Sequence, residues 1–124
     1  MWLYIISISS FIYRLIAINS GHHATEIIHE SDQIRSLDFG MYQMATTVDR
    51  IEGSKTQFMI LTMFGEHTLH HLFPTLDQGL LPQLHDVLIE TCRDFDVEFR
   101  KFSWYKLFIG QFKELARNEP SSLV

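Results

Sequence analysis

A chain of 124 residues, 46% apolar and carrying ten Phe, has the length and the material for one folded domain and is too hydrophobic to be a disordered tail. Its formal net charge of −5, with no lysine or arginine block, excludes nucleic acid as a partner, because phosphate binding needs a concentrated basic surface. The single cysteine, Cys92, excludes an internal disulfide and leaves seven histidines as the feature to explain.

Met1–Ile18 reads MWLYIISISSFIYRLIAI, apolar apart from three serines and Arg14. A helix of roughly 20 residues spans the hydrocarbon of a bilayer. This run therefore predicts a transmembrane helix over residues 1–20, with Arg14 near its far end, where the charge reaches the headgroups. A signal peptide fits less well, since no basic segment precedes the apolar run and Arg14 interrupts it. A buried helix of a globular core is the remaining reading.

The polar stretch Asn19–Arg35 follows and carries His22, His23 and His29. Leu37, Met41, Met44, Ala45 and Val48 then share one face of a helix from about Ser36 to Arg50, which Glu52-Gly53-Ser54 interrupts. The chain becomes apolar again after Lys55, in FMILTMFGEHTLHHLF, and Pro74 stops it. That segment is too short to cross a bilayer. Thr75–Gly79 has turn chemistry.

Two amphipathic helices close the chain. The first runs from about Leu80 to Phe99 with Leu81, Leu84, Leu88 and Phe95 on one face and Pro82 in its first turn. The second runs from Trp104 to Arg117 with Leu107, Phe108, Phe112 and Leu115 together, and Asn118-Glu119-Pro120 ends it. Both are charged on the opposite face. No two-residue hairpin or alternating strand stands out, so the expected class is all-α, with one N-terminal transmembrane helix followed by a cytosolic helical cap.

The chemistry concentrates in Gly65-Glu66-His67-Thr68-Leu69-His70-His71-Leu72-Phe73-Pro74. His67, His70 and His71 are spaced i, i+3, i+4 and share one helix face. Imidazoles in apolar surroundings need partners for their nitrogens, and a metal satisfies several at once; hydrogen-bonded or surface histidines are the alternative. The zinc-protease pattern H-E-x-x-H is absent, because Thr68 and Leu69 hold its inner positions. A carboxylate-rich di-iron bundle would need two E-x-x-H pairs; only Glu26–His29 fits. Asn19 and His23 are i, i+4 and would face one site if the first helix continues that far. A solvated helix terminus is the other reading of His22 and His23.

His67–Pro74 resembles the third histidine box of the membrane fatty-acid desaturases. The flanks Phe64-Gly65-Glu66 and Thr75-Leu76-Asp77-Gln78-Gly79-Leu80-Leu81 extend the likeness. Within the family, the insect cytochrome b5-related branch is similar from about Phe11 to Pro120, including its final helix around Ile109-Gly110-Gln111-Phe112-Lys113. The resemblance implies that residues 1–124 form the C-terminal part of a desaturase domain, with the membrane helix at 1–20 and cytosolic helices over 21–124.

It also implies that His67, His70 and His71 are metal ligands in a site of two irons. Asn19-Ser20-Gly21-His22-His23 resembles the family pattern N-S-x-x-H, which makes His23 a further ligand and Asn19 the holder of an iron-bound water. Glu66 either orients an imidazole through its free N–H or is an ordinary exposed carboxylate. His29 and His85 match no box and are expected in a solvated loop and on an exposed helix face. His67 stands where front-end desaturases carry Gln, so double-bond position is not implied.

The implied reaction is oxygen-dependent introduction of a double bond into a fatty acyl chain at the endoplasmic reticulum, with electrons from cytochrome b5. The family's first and second boxes have no match, and four histidines cannot hold two irons, so the chain alone is expected to be inactive. A catalytically dead, membrane-attached helical interaction protein and a fatty acyl hydroxylase of the same superfamily are the alternatives.

Overall fold

The computed structural model describes residues 1–14, 21–29, 32, 38–51, 56 and 65–120. The chain opens with α1 (Trp2–Tyr13), a helix apolar on all sides whose every residue is exposed. Twelve residues rise only about 18 Å, well short of a hydrocarbon layer of about 30 Å. No helix among the described residues is long and apolar enough to cross a membrane. The transmembrane helix expected over 1–20 is thereby corrected, and with it the membrane-anchored fold class. Residues 15–20 of the expected span lie outside the described residues.

The next helix, α2 (Phe39–Thr46), begins where the Asp38 carboxylate accepts the Met41 N–H at 2.8 Å. It stops four residues before Arg50. Thr46, Thr47 and Val48 are consecutive β-branched residues, stiff at χ1 and poor in a helix. The Thr46 and Thr47 hydroxyls donate back to the Tyr42 and Gln43 carbonyls, at 2.9 and 2.7 Å. The chain then runs extended into β1 (Asp49–Arg50), which pairs in parallel with β2 (Lys101–Phe102) in the register Asp49↔Lys101 and Arg50↔Phe102. Two residues per strand are too few to show alternation, so the sequence carries no sign of this pair.

Between the strands lie α3 (His67–Leu72), a 3-10 turn (Leu81–Leu84) and α4 (His85–Asp94). The amphipathic helix expected to reach Phe99 ends early in a Schellman motif. Asp96 takes the left-handed conformation at φ 53, Val97 N–H donates to Cys92 O at 2.8 Å, and Asp96 N–H donates to Arg93 O at 3.3 Å. That turn sends residues 97–100 back towards β1. The last helix, α5 (Trp104–Leu115), starts at Ser103, whose hydroxyl accepts the Lys106 N–H.

Two apolar clusters hold these elements. Leu69 of α3 packs with Leu81, Leu88 and Cys92, bordered by Met44, Leu72, Val97 and Phe99. Ala24, Ile27, Val48 and Leu107 form the other, with Phe102 at its edge. Helix α3 buries Leu69 on one side and presents His67 and His71 on another, towards the segment that carries His22.

Candidate metal centre

The start of α3 is set by a residue from β1. Asp49 is buried, and its Oδ1 accepts the Thr68 N–H at 2.7 Å, satisfying one of the free amides at the helix N-terminus. Burial pushes the Asp49 carboxyl pKa up from its usual value. Glu66, the residue before the helix, is left-handed at φ 55 and makes no side-chain cap. Its carboxylate turns away instead: Oε2 lies 2.6 Å from His85 Nδ1, and His85 Nε2 lies 2.9 Å from Lys101 Nζ.

Three imidazoles converge beside this helix start. His67 Nε2 lies 3.0 Å from His22 Nε2, with the rings edge-on at 4.4 Å. The His71 ring lies 4.8 Å from each of the other two. His22, His67 and His71 each offer a nitrogen within 4.8 Å of the others. Gly21 is required for the approach, because a Cβ there would overlap the His67 ring.

Each clustered imidazole also has a hydrogen bond on the corner that joins α2 to β1. His71 Nδ1 donates to Gln43 Oε1 at 3.2 Å, His67 Nδ1 to Val48 O at 3.4 Å, and His22 to the Thr46 backbone carbonyl. Anchoring one ring nitrogen fixes the tautomer and leaves the other with its lone pair free for a ligand.

The rings are held neutral as well. Burial, followed by the neighbouring His22 and His71, lowers the His67 pKa to about 3. Burial, followed by His71 and His23, lowers that of His22 to about 4. Burial and then His70 lower that of His71. At neutral pH all three carry lone pairs, the form that binds iron, zinc or copper. The donor set therefore suits a metal, and His70 Nδ1 is a buried nitrogen with no hydrogen-bond partner beside it.

The structure thus brings His67 and His71 together, adds His22, and leaves His70 adjacent. The His23 ring stacks on that of His29 at 6.2 Å and is not one of the three that converge, and Asn19 lies outside the described residues. The i, i+4 relation of Asn19 to His23 presupposes a helix, whereas residues 22–29 follow no regular helix and His22 is the one that turns inward. The only sequence sign of His22 was its place beside Gly21. Neither His29 nor His85 is a free surface residue: His29 Nε2 lies 3.0 Å from Ala24 O, and His85 is half-buried on Glu66. The Glu66–His85–Lys101 chain has no local sequence signal.

Residues 1–103 match the family model described as Fatty acid desaturase. Over 121 residues, 97% of its length, the chain is 47% identical to a cytochrome b5-related protein of Drosophila melanogaster, of which it spans 28%. It is 30% identical over 70 residues, 56% of its length, to Delta(5) fatty acid desaturase A of Dictyostelium discoideum, of which it spans 15%. It is 29% identical over 62 residues, half its length, to acyl-lipid (8-3)-desaturase B of the same organism, of which it spans 13%. No solved structure matches the chain.

Proposed function

Because the chain belongs to the fatty acid desaturase family, we propose that it supplies one wall of a histidine-held iron centre in an oxidoreductase acting on fatty acyl chains, as the C-terminal part of the desaturase domain. The observation that supports this reading is the convergence of the neutral His22, His67 and His71, each braced on the Gln43–Val48 corner. When bound, a pair of irons supplies the oxygen-dependent oxidation that removes two hydrogens from an unactivated acyl chain, with cytochrome b5 as electron donor.

In this reading His22, His67 and His71 bind through the nitrogens that face one another, and His70 offers its buried Nδ1. Gln43, Thr46 and Val48 orient the rings. Asp49 fixes the first turn of α3 and so the height at which His67 enters. Glu66 acts at one remove, tying the residue before His67 to His85 and Lys101. Two irons need more donors than these, so the chain acts with further histidines and is inactive alone.

The test is iron analysis of the 124-residue chain loaded anaerobically with Fe2+. Iron retained by the wild type and lost in His67→Ala supports the reading, and equal iron content in both overturns it. Product analysis on a longer protein containing this chain then distinguishes a double bond from a hydroxyl.

A further inference from the structure

His22 reaches the cluster on an irregular segment, so hydrogen bonding within a helix or strand cannot hold it there; contacts from elsewhere must. Some come from the α2–β1 corner and from Arg100, and a further set comes from α5 and from Arg117 just past its end. Ala24 and Ile27 are buried against Leu107. Gly110 brings the α5 backbone against Ala24, where a Cβ would stand 3.6 Å from its Cα. Lys106 Nζ lies 2.8 Å from Glu26 Oε1, and Arg100 donates to the Glu26 carbonyl.

The far end is closed by a charged buckle. Arg117 Nη1 lies 2.6 Å from Asp32 Oδ1, and its Nε and Nη2 lie 2.8 and 2.6 Å from Glu114 Oε1. Asp32 Oδ2 accepts the His29 N–H at 2.9 Å, and Glu114 Oε1 stands 3.4 Å from His29 Nε2. The Asp32 side chain is almost wholly buried, and the Arg117 guanidinium offsets its charge there. All of α5 and Arg117 lie beyond residue 103, where the match to the family model ends.

We infer that Arg117, through Asp32 and Glu114, is a positioning residue that holds residues 21–29 on α5 and thereby keeps His22 in the metal-binding cluster. This rests on the reading above that His22 is a ligand. A segment released from α5 would present His22 only part of the time, and apparent affinity falls by the fraction of time the competent arrangement exists.

The test is a Co2+ titration of the full chain, read by ligand-field absorption, alongside circular dichroism and amide hydrogen exchange at Ile28, whose N–H donates to Ala45 O at 3.0 Å. Arg117→Ala is expected to weaken Co2+ binding by roughly tenfold or more, to change the absorption band as one imidazole is lost, and to speed exchange at Ile28. Arg117→Lys, which keeps the charge but cannot bridge both carboxylates, restores part of the affinity. Lys113→Ala, an exposed cation on the same helix, leaves affinity unchanged.

Wild-type affinity and spectrum in Arg117→Ala overturn the inference. If that variant loses its helical dichroism, Asp32→Asn decides in its place by the same two criteria. A wild-type chain that binds no Co2+ refutes the metal reading itself and this inference with it, whereas binding indifferent to Arg117 refutes the positioning role alone.

Discussion

His22 and His67, 45 residues apart in sequence, face each other through their Nε2 atoms at 3.0 Å. His67 already carries its proton on Nδ1, where it donates to Val48 O, so its Nε2 presents a lone pair towards His22. A proton added at that Nε2 would make a cation of the His67 ring in a buried site already crowded by His71. Acid and metal therefore compete for the same pair of atoms.

The pH dependence of stability follows. His67 and His22 have folded-state pKa values of about 3 and about 4, below the 6.5 of an unfolded histidine. Between those limits the unfolded chain binds more protons, so stability is lost as pH falls from 6.5 towards 3. His67, the more buried, accounts for up to about 1 kcal/mol per pH unit; the contribution of His22 is smaller because solvent screens it. Asp49, with its raised pKa, works in the opposite direction and offsets part of the loss. Urea unfolding at pH 7 and pH 5 should give the lower midpoint at pH 5. His67→Gln should flatten the difference, and an unchanged slope in that variant would assign the effect elsewhere.

Gly21→Ala places a methyl group where the His67 ring stands. Either the ring or the His22 segment must move, at a cost of about 1–3 kcal/mol. The expected outcome is a lower thermal midpoint together with loss of Co2+ binding, since the same displacement separates His22 from His67. Wild-type affinity in this variant would mean that the close approach is not needed for the site.

Gln43 is the side-chain anchor of His71. Gln43→Leu retains much of the volume but removes the acceptor for Nδ1. Metal affinity is expected to fall about 10- to 100-fold while the unfolding midpoint moves little, because Gln43 is only half-buried. Isothermal titration with Zn2+ measures the first quantity and urea unfolding the second.

The Glu66–His85 contact is structural in the first instance. His85→Ala leaves a buried carboxylate with one partner fewer, at an expected cost of about 1–3 kcal/mol. His85→Gln keeps a donor within reach and should recover part of it. Chemical denaturation of the three proteins side by side tests this, and equal midpoints would show that Lys101 or water suffices for Glu66.

The helical character, the turn after Pro74 and the i, i+4 pairing of His67 with His71 were legible in the sequence, because each depends on neighbours within one or two turns. The histidine box and its flanks were likewise enough to suggest the family. Local pattern misled where the end of an element mattered. The periodicity from Ser36 continues past the β-branched residues that stop α2.

The sequence by itself determined that His67 and His71 lie one helical turn apart on the same face. Only the tertiary structure decided the third. His22 rather than His23 joins them because Gly21 removes a side chain from the path and because α5, some 85 residues from Asp32 at its Arg117 end, holds the intervening segment in place. Neither steric exclusion by a distant ring nor an ion pair across that separation leaves a periodic trace in the chain. Both are physical facts of closure, in which packing and electrostatics outweigh the entropy of a long loop.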